Sequence, residues 1–166
     1  MTLAETIKLF EAIASQQPAV HQIVQNDVFR LNGRMDAKYG AFAWTQGTHS
    51  GGVDADEYTY TFTFFYVDRL TEDAYNRCQV QSIGIEVLSD ILRTLADQGV
   101  GVNDYTFTTF NQRFVDECAG VFCNVELTVP VDSLCGEEYL DNEIYLADVD
   151  SLYLTDVNDN FLQPRQ

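Results

Sequence analysis

The sequence predicts an α+β fold, a mostly antiparallel sheet with two helices packed on one of its faces, followed by an acidic C-terminal extension. Three observations lead there. Residues 57–68 alternate with a period of two, Tyr58, Tyr60, Phe62, Phe64 and Tyr66 falling on one side and Thr59, Thr61, Thr63, Phe65 and Val67 on the other. Segments 2–15 and 71–97 each carry a single apolar stripe at helical spacing. The element order reads α-β-β-β-α-β-β, so two one-sided helices and one strongly apolar sheet face satisfy each other most economically in two layers.

The first helix, residues 2–15, opens with Thr2 and Glu5, the pair of a capping box that satisfies free amide donors at the helix start. Leu3, Ile7, Phe10 and Ala14 follow at spacings of 4, 3 and 4, with Ile13 beside them, and Pro18 marks the exit. Residues 22–31 read as a first strand ending at Asn32-Gly33, a tight-turn pair because both residues tolerate positive φ. A two-residue hairpin there would set Leu31 beside Arg34 and Phe29 beside Asp36, which mixes apolar and charged partners on one face. Residues 40–46 and 57–68 form the clearest hairpin, joined by the polar, glycine-rich loop Gly47–Asp56.

The second helix is expected over 71–97, with Thr71 as cap and Glu72 and Asp73 in the first turn, where the helix dipole favours acids. Its stripe is read as Cys78, Gln81, Ile85, Leu88, Leu92 and Leu95, with Ile91 alongside. Gly84 inside the helix costs about 1 kcal/mol relative to alanine, which a close helix–sheet contact would explain. Gly99 and Gly101 end the helix. Residues 104–111 form another strand and 119–131 a longer one, with Val121, Cys123, Val125, Leu127, Val129 and Val131 on its buried face. Residues 1–131 therefore make one domain and 132–166 an extension, whose stretch 132–160 holds nine acids and no lysine or arginine. That extension is read as lying on the domain or on a neighbour, with a solvated acidic tail as the plainer alternative.

A chain of 166 residues with 46% apolar and 13% aromatic side chains supports a real core rather than a disordered polymer. Its net charge of −17, from 26 acids against 9 bases, repels phosphate backbones and anionic membranes. A solvated surface that keeps the protein soluble explains this charge, and so does an acidic wall past which DNA slides. The sequence has no run of 18 apolar residues, so no membrane span is expected. Met1-Thr2-Leu3-Ala4-Glu5 lacks a basic region before an apolar stretch, so no signal peptide is expected, and folding in a cytosol with reduced thiols follows. Cys78, Cys118, Cys123 and Cys135 form no C-x-x-C pair. The odd spacing of Cys118 and Cys123 would put them on opposite faces of one strand. All four are read as small buried hydrophobes.

Chemistry is not expected anywhere along the chain: no catalytic residue, no cofactor and no metal ligand set stands out. His21 and His49 sit without metal-ligand spacing. His49-Ser50 lies between strands rather than on the strand-to-helix elbow that a G-x-S-x-G nucleophile needs. The glycine loop has no Gly-Lys-Ser/Thr and opens no helix, so it is not a phosphate cradle. Asp156-x-Asn158-x-Asn160 starts like a calcium loop, but Phe161 replaces the required glycine and the chain given ends before the closing glutamate.

Two segments carry a resemblance. Phe64-Phe65-Tyr66-Val67-Asp68-Arg69-Leu70 leads straight into Thr71-Glu72-Asp73-Ala74-Tyr75-Asn76-Arg77 and on to Gln81-Ser82, and after the next strand comes Arg113-Phe114-Val115-Asp116-Glu117-Cys118-Ala119-Gly120-Val121. With the element order across residues 3–131, this resembles the tail-completion or tail-terminator family of tailed bacteriophages. It is also similar to the connector-ring proteins of phages of Bacteroidetes, crAss-like phages included. The resemblance implies a homo-oligomeric ring in the virion neck or tail, made in the bacterial host cytoplasm. Adjacent portal, connector and tail proteins would be its partners, genomic DNA would pass the channel without sequence-specific binding, and no membrane is involved. The oligomer interface is expected at the loop residues Gly47, Thr48, His49, Ser50 and Asp54 and at Tyr139, Tyr145 and Tyr153 of the extension. A competing class is an acidic protein-binding adaptor, of which a DNA-mimic inhibitor is one version.

Overall fold

The computed structural model describes residues 1–25, 38–52, 56–71, 75–113 and 117–131. In chain order they form α1 (Leu3–Ser15), β1 (Gln22–Gln25), β2 (Ala41–Ser50), β3 (Glu57–Arg69), α2 (Arg77–Asp97), β4 (Gly101–Val102), β5 (Thr106–Arg113) and β6 (Glu117–Pro130). The six strands make one sheet in the order β1-β2-β3-β6-β4, with β5 also on β6. β3 takes one side of β6 from Cys118 to Pro130, while β5 and β4 share the other. All pairings are antiparallel except β1 with β2, which is parallel. The fold is thus α+β with a mostly antiparallel sheet and two helices, as the pattern predicts. The turn at Asn32-Gly33, the tip Val53–Ala55 and the extension from Asp132 lie outside the described residues.

The aromatic row of β3 organises the core. Tyr60, Phe62, Phe64 and Tyr66 are buried, while the alternate Thr59, Thr61 and Thr63 stay half-exposed. The register aligns Phe62 with Val125, Phe64 with Cys123 and Tyr66 with Val121, so neighbouring strands extend one apolar layer. α1 seals it. Thr2 and Glu5 complete the capping box, with bonds of 3.3 and 2.8 Å. Phe10, fully buried, meets Phe42, Trp44, Phe62 and Phe64 at ring-centroid distances of 6.3, 5.3, 5.2 and 5.0 Å. Buried Thr6 satisfies its hydroxyl on the Thr2 carbonyl at 2.9 Å.

α2 covers the same face but is rotated from the predicted stripe. Its buried residues are Val80, Gly84, Val87, Leu88, Ile91, Leu92 and Leu95, whereas Cys78 and Ile85 are exposed and Gln81 bonds Asn111 across 3.2 Å. Gly84 sets the rotation: a Cβ there would stand 3.0 Å from both Tyr66 and Val121. Pointing that glycine at the sheet turns Ile85, about 100° further round, toward solvent. The close contact inferred from Gly84 is present. The helix also starts later than 71, at Arg77, and Thr71 is not its cap. Instead the Asn76 carboxamide ties the end of β3 to the helix entry, accepting from the Thr71 amide and hydroxyl and donating to the Arg69 carbonyl. At the far end Gly99 adopts φ +83°, and the amides of Gly99 and Val100 return to Ala96 and Leu95 in a Schellman closure.

Two further boundaries differ from the sequence reading. β2 runs to Ser50 rather than stopping at residue 46, because β3 extends far enough to pair His49 with Tyr60 and Ser50 with Thr59. A bulge between Gln46 and His49 takes up the extra residue. β5 occupies Thr106–Arg113, shifted C-terminally from 104–111, and a separate two-residue strand precedes it. The second sheet face is apolar only at one end, where Val24, Ala41, Ala43, Val67 and Cys118 are buried with Tyr39, Phe65 and Phe110 against them. Gly120 permits the packing there, since a Cβ would strike the Tyr66 carbonyl oxygen and the Phe110 ring.

Phe10→Ala is expected to cost about 3–5 kcal/mol, read as a lower urea midpoint at unchanged slope. Burial, with the nearby Asp68 carboxylate, pushes the Tyr66 phenol up to about 12. The unfolded chain ionises first, near 10, so stability falls as pH rises from 10 toward 12. Tyr66→Phe should flatten that decline in urea titrations across the same window.

Candidate functional site

The sheet face that carries no helix among the described residues is built by the other half of the same alternation. Thr59, Thr61 and Thr63 of β3 lie opposite Thr128, Glu126 and Asn124 of β6, and Thr106 pairs with Asn124 from the far side. Thr108 continues the β5 row. These side chains are exposed or half-exposed. Thr63 donates to Asn124 Oδ1 at 2.8 Å, and Asn103 donates to Thr128 Oγ1 at 2.8 Å, so part of the surface is pre-ordered by its own hydrogen bonds. Of the eight strand residues, Glu126 alone is charged, and it is acidic. These eight side chains, hydroxyls and amides with one carboxylate, make a wettable surface without a cation among them, and Arg69 at the far end of β3 on the same face lies over the Tyr39 ring, 5.9 Å from its centroid.

At one end of this face the β2–β3 hairpin projects. Gly47, Thr48, His49 and Ser50 belong to strand β2, not to a loop, while Asp54, Tyr139, Tyr145 and Tyr153 lie outside the described residues. Gly47 sits over Thr61, where a Cβ would come within 3.2 Å. The His49 ring stands edge-on to Tyr60 at 5.3 Å, and Tyr58 stacks on Tyr60 at 6.3 Å with planes 17° apart. His49, Ser50, Gly51, Gly52, Tyr58 and Tyr60 line an open hollow of about 420 Å³. Burial and the neighbouring Tyr58 raise the Tyr60 phenol above its ordinary range.

The strand conformation decides what His49 and Ser50 can do together. Adjacent strand residues face opposite sides, and the register sends His49 with Tyr60 and Ser50 with Thr59. The imidazole and hydroxyl therefore do not meet as base and nucleophile. Among the described residues no group of three or more His, Cys, Asp or Glu side chains is placed to hold a metal ion. No helix among them is long and apolar enough to cross a membrane.

The sheet edges were not read from sequence. Among the described residues β5 pairs with β6 on one side only, and β2 beyond Trp44 pairs only with β3. Strand patterns show which residues alternate but not which strand lies outermost, so this signal was not available in the pattern. One side chain links the edge to the core: Glu11 of α1 accepts from Trp44 Nε1 at 2.9 Å and from Gln25 at 2.8 Å, holding β1 and β2 to the helix layer.

Cys118 and Cys123 are buried on opposite sheet faces, as their spacing requires, but Cys78 is exposed, contrary to the reading of all cysteines as buried. Burial pushes the Cys123 thiol up to about 11. In a Cys135→Ser background, a maleimide at pH 8 should modify Cys78 alone by intact-mass analysis, with Cys118 and Cys123 reacting only after denaturation.

No protein-family model matches the chain, and no curated protein matches it.

Proposed function

We propose that the chain is a structural subunit of a ring at the head–tail junction or tail end of a tailed bacteriophage, surrounding the channel through which genomic DNA passes. The observation that carries this reading is the one-sided sheet. Both helices cover one face, and the other presents Thr59, Thr61, Thr63, Thr128 and Asn124 with Glu126 as the sole charge of that group. A ring subunit needs a face that DNA can pass without sticking, and neutral hydroxyls on a chain of net charge −17 supply no counterion release to hold a duplex. The resemblance across Val67–Gln81 and Arg113–Val121 supports the same class. In this reading the protein acts in the virion neck or tail. The β2–β3 hairpin tip and the extension 132–166 contact neighbouring subunits or rings.

The strong negative charge also favours a second reading, an acidic adaptor that occupies the DNA site of a nuclease or repair enzyme. One experiment separates them: a tagged chain is co-expressed with portal and tail proteins of the same genome, and in parallel with host nucleases. Co-purification with portal or tail protein, and no retardation of duplex DNA even at low salt, is the expected result. Capture of a nuclease with loss of its activity, and no portal or tail protein, would replace the ring reading with the adaptor. Truncation after Val131 should weaken assembly; particles formed as well as by the full chain would remove the extension from the interface.

A further inference from the structure

The two ends of the sheet differ chemically from the rest of the surface. At one end β5 runs for eight residues, TFTTFNQR, with no acid, lysine or proline in its sequence. Thr106, Thr108, Thr109 and Asn111 are exposed, and the outer side of the strand pairs with nothing among the described residues. Sheets that must remain unpaired blunt their edges with lysine, proline or bulges, and β5 has none of these. At the other end β1 covers β2 only from Ala41 to Trp44. From Gln46 to Ser50 the strand is exposed, contains no Lys, Arg, Asp or Glu, and has β3 as its one partner among the described residues. A chain carrying −17 repels its own copies over most of its surface. Acid-free edges whose backbone donors and acceptors are unpaired among the described residues are where two copies approach with the least repulsion and the most main-chain bonding.

We infer that copies of this chain join edge to edge, the outer side of β5 in one copy taking the part of β2 beyond Trp44 in the next into one continuous sheet. The edges lie at opposite ends of the strand order, so each contact is head-to-tail, the arrangement that closes into a ring when the rotation per step divides a full turn. Every helix then falls on one side of the joined sheet, and the threonine rows fall on the other. The bulge at Gln46–His49 restricts which β2 backbone groups can bond the incoming strand and so fixes the register. The pairing deepens the ring reading and depends on it for closure.

The test uses the full chain with Thr108→Lys and Thr109→Lys, both exposed on β5. The control is Gln79→Lys with Ser82→Lys on the exposed side of α2. Each pair adds two positive charges to an acidic protein, so general electrostatics favours association equally in both. Native mass spectrometry is run on each protein alone and with the portal and tail proteins, and hydrogen exchange is followed on the wild type. The expected result is a lost oligomer for the edge pair, a retained oligomer for the control, and equal melting temperatures. Exchange in the assembled wild type should slow by about tenfold or more at Thr106–Arg113 and at Thr45–Ser50 together. An edge variant that assembles like the wild type overturns edge pairing and leaves the ring reading standing. Protection of β5 without β2, as in a two-fold β5–β5 pair or capture of the chain's own C-terminal segment, overturns the head-to-tail contact. A wild type that stays monomeric alone and beside portal and tail proteins overturns both. If the lysine pair on β5 unfolds the protein, the exchange pattern of the wild type decides.

Discussion

The buried row Tyr60, Phe62, Phe64 and Tyr66 is the constraint on which the other parts depend. These side chains stand in line on a strand flanked on both sides, by β2 and by β6 over the length of β3. Nothing but another layer can remove them from water, and each such ring is worth about 1.5–3 kcal/mol when fully buried. α1 answers with Phe10 inserted among four rings, and α2 answers with Leu88, Ile91, Leu92 and Leu95. Because the row occupies one face only, both helices are drawn to that face.

Close packing of that layer then dictates details that look unrelated. Tyr66 needs room beside α2, and Gly84 provides it. The same tyrosine donates to the Ala19 carbonyl at 3.3 Å, tying the segment after α1 to β3. Gly120, directly across from Val67, leaves space for the Phe110 ring on the opposite face. The Trp44 indole must find an acceptor once α1 covers it, and Glu11 supplies a carboxylate that also takes Gln25. Among the described residues no buried side-chain nitrogen or oxygen is left without a hydrogen-bond partner.

What this architecture leaves over is as informative as what it covers. A two-layer fold keeps one sheet face and two sheet edges outside its core, and proteins that work alone cover or charge such features. Here the face carries threonines and the edges carry no acid, although the chain as a whole is strongly acidic. Negative charge is kept away from the backbone groups best able to bond another strand. That distribution suits assembly better than binding of a small molecule, and it underlies the proposal of a subunit built to join its own copies.

The alternation of β3 and β6, the Thr2–Glu5 cap, the contact at Gly84, the opposed positions of Cys118 and Cys123 and the α+β class were all legible in the chain itself. Each depends on local stereochemistry: a period of two, a three-residue cap spacing, the missing Cβ of a glycine. The rotation of α2, the exposure of Cys78 and Ile85, the continuation of β2 through Gly47–Ser50 and the parallel pairing of β1 were decided by tertiary structure. In each case a partner distant in sequence set the outcome: Tyr66 and Val121 for the helix, the extra length of β3 for β2. The edges left unpaired among the described residues belong to the same class. Whether a strand is central or outermost is a property of the sheet and not of the strand, since the same alternating residues serve in either place.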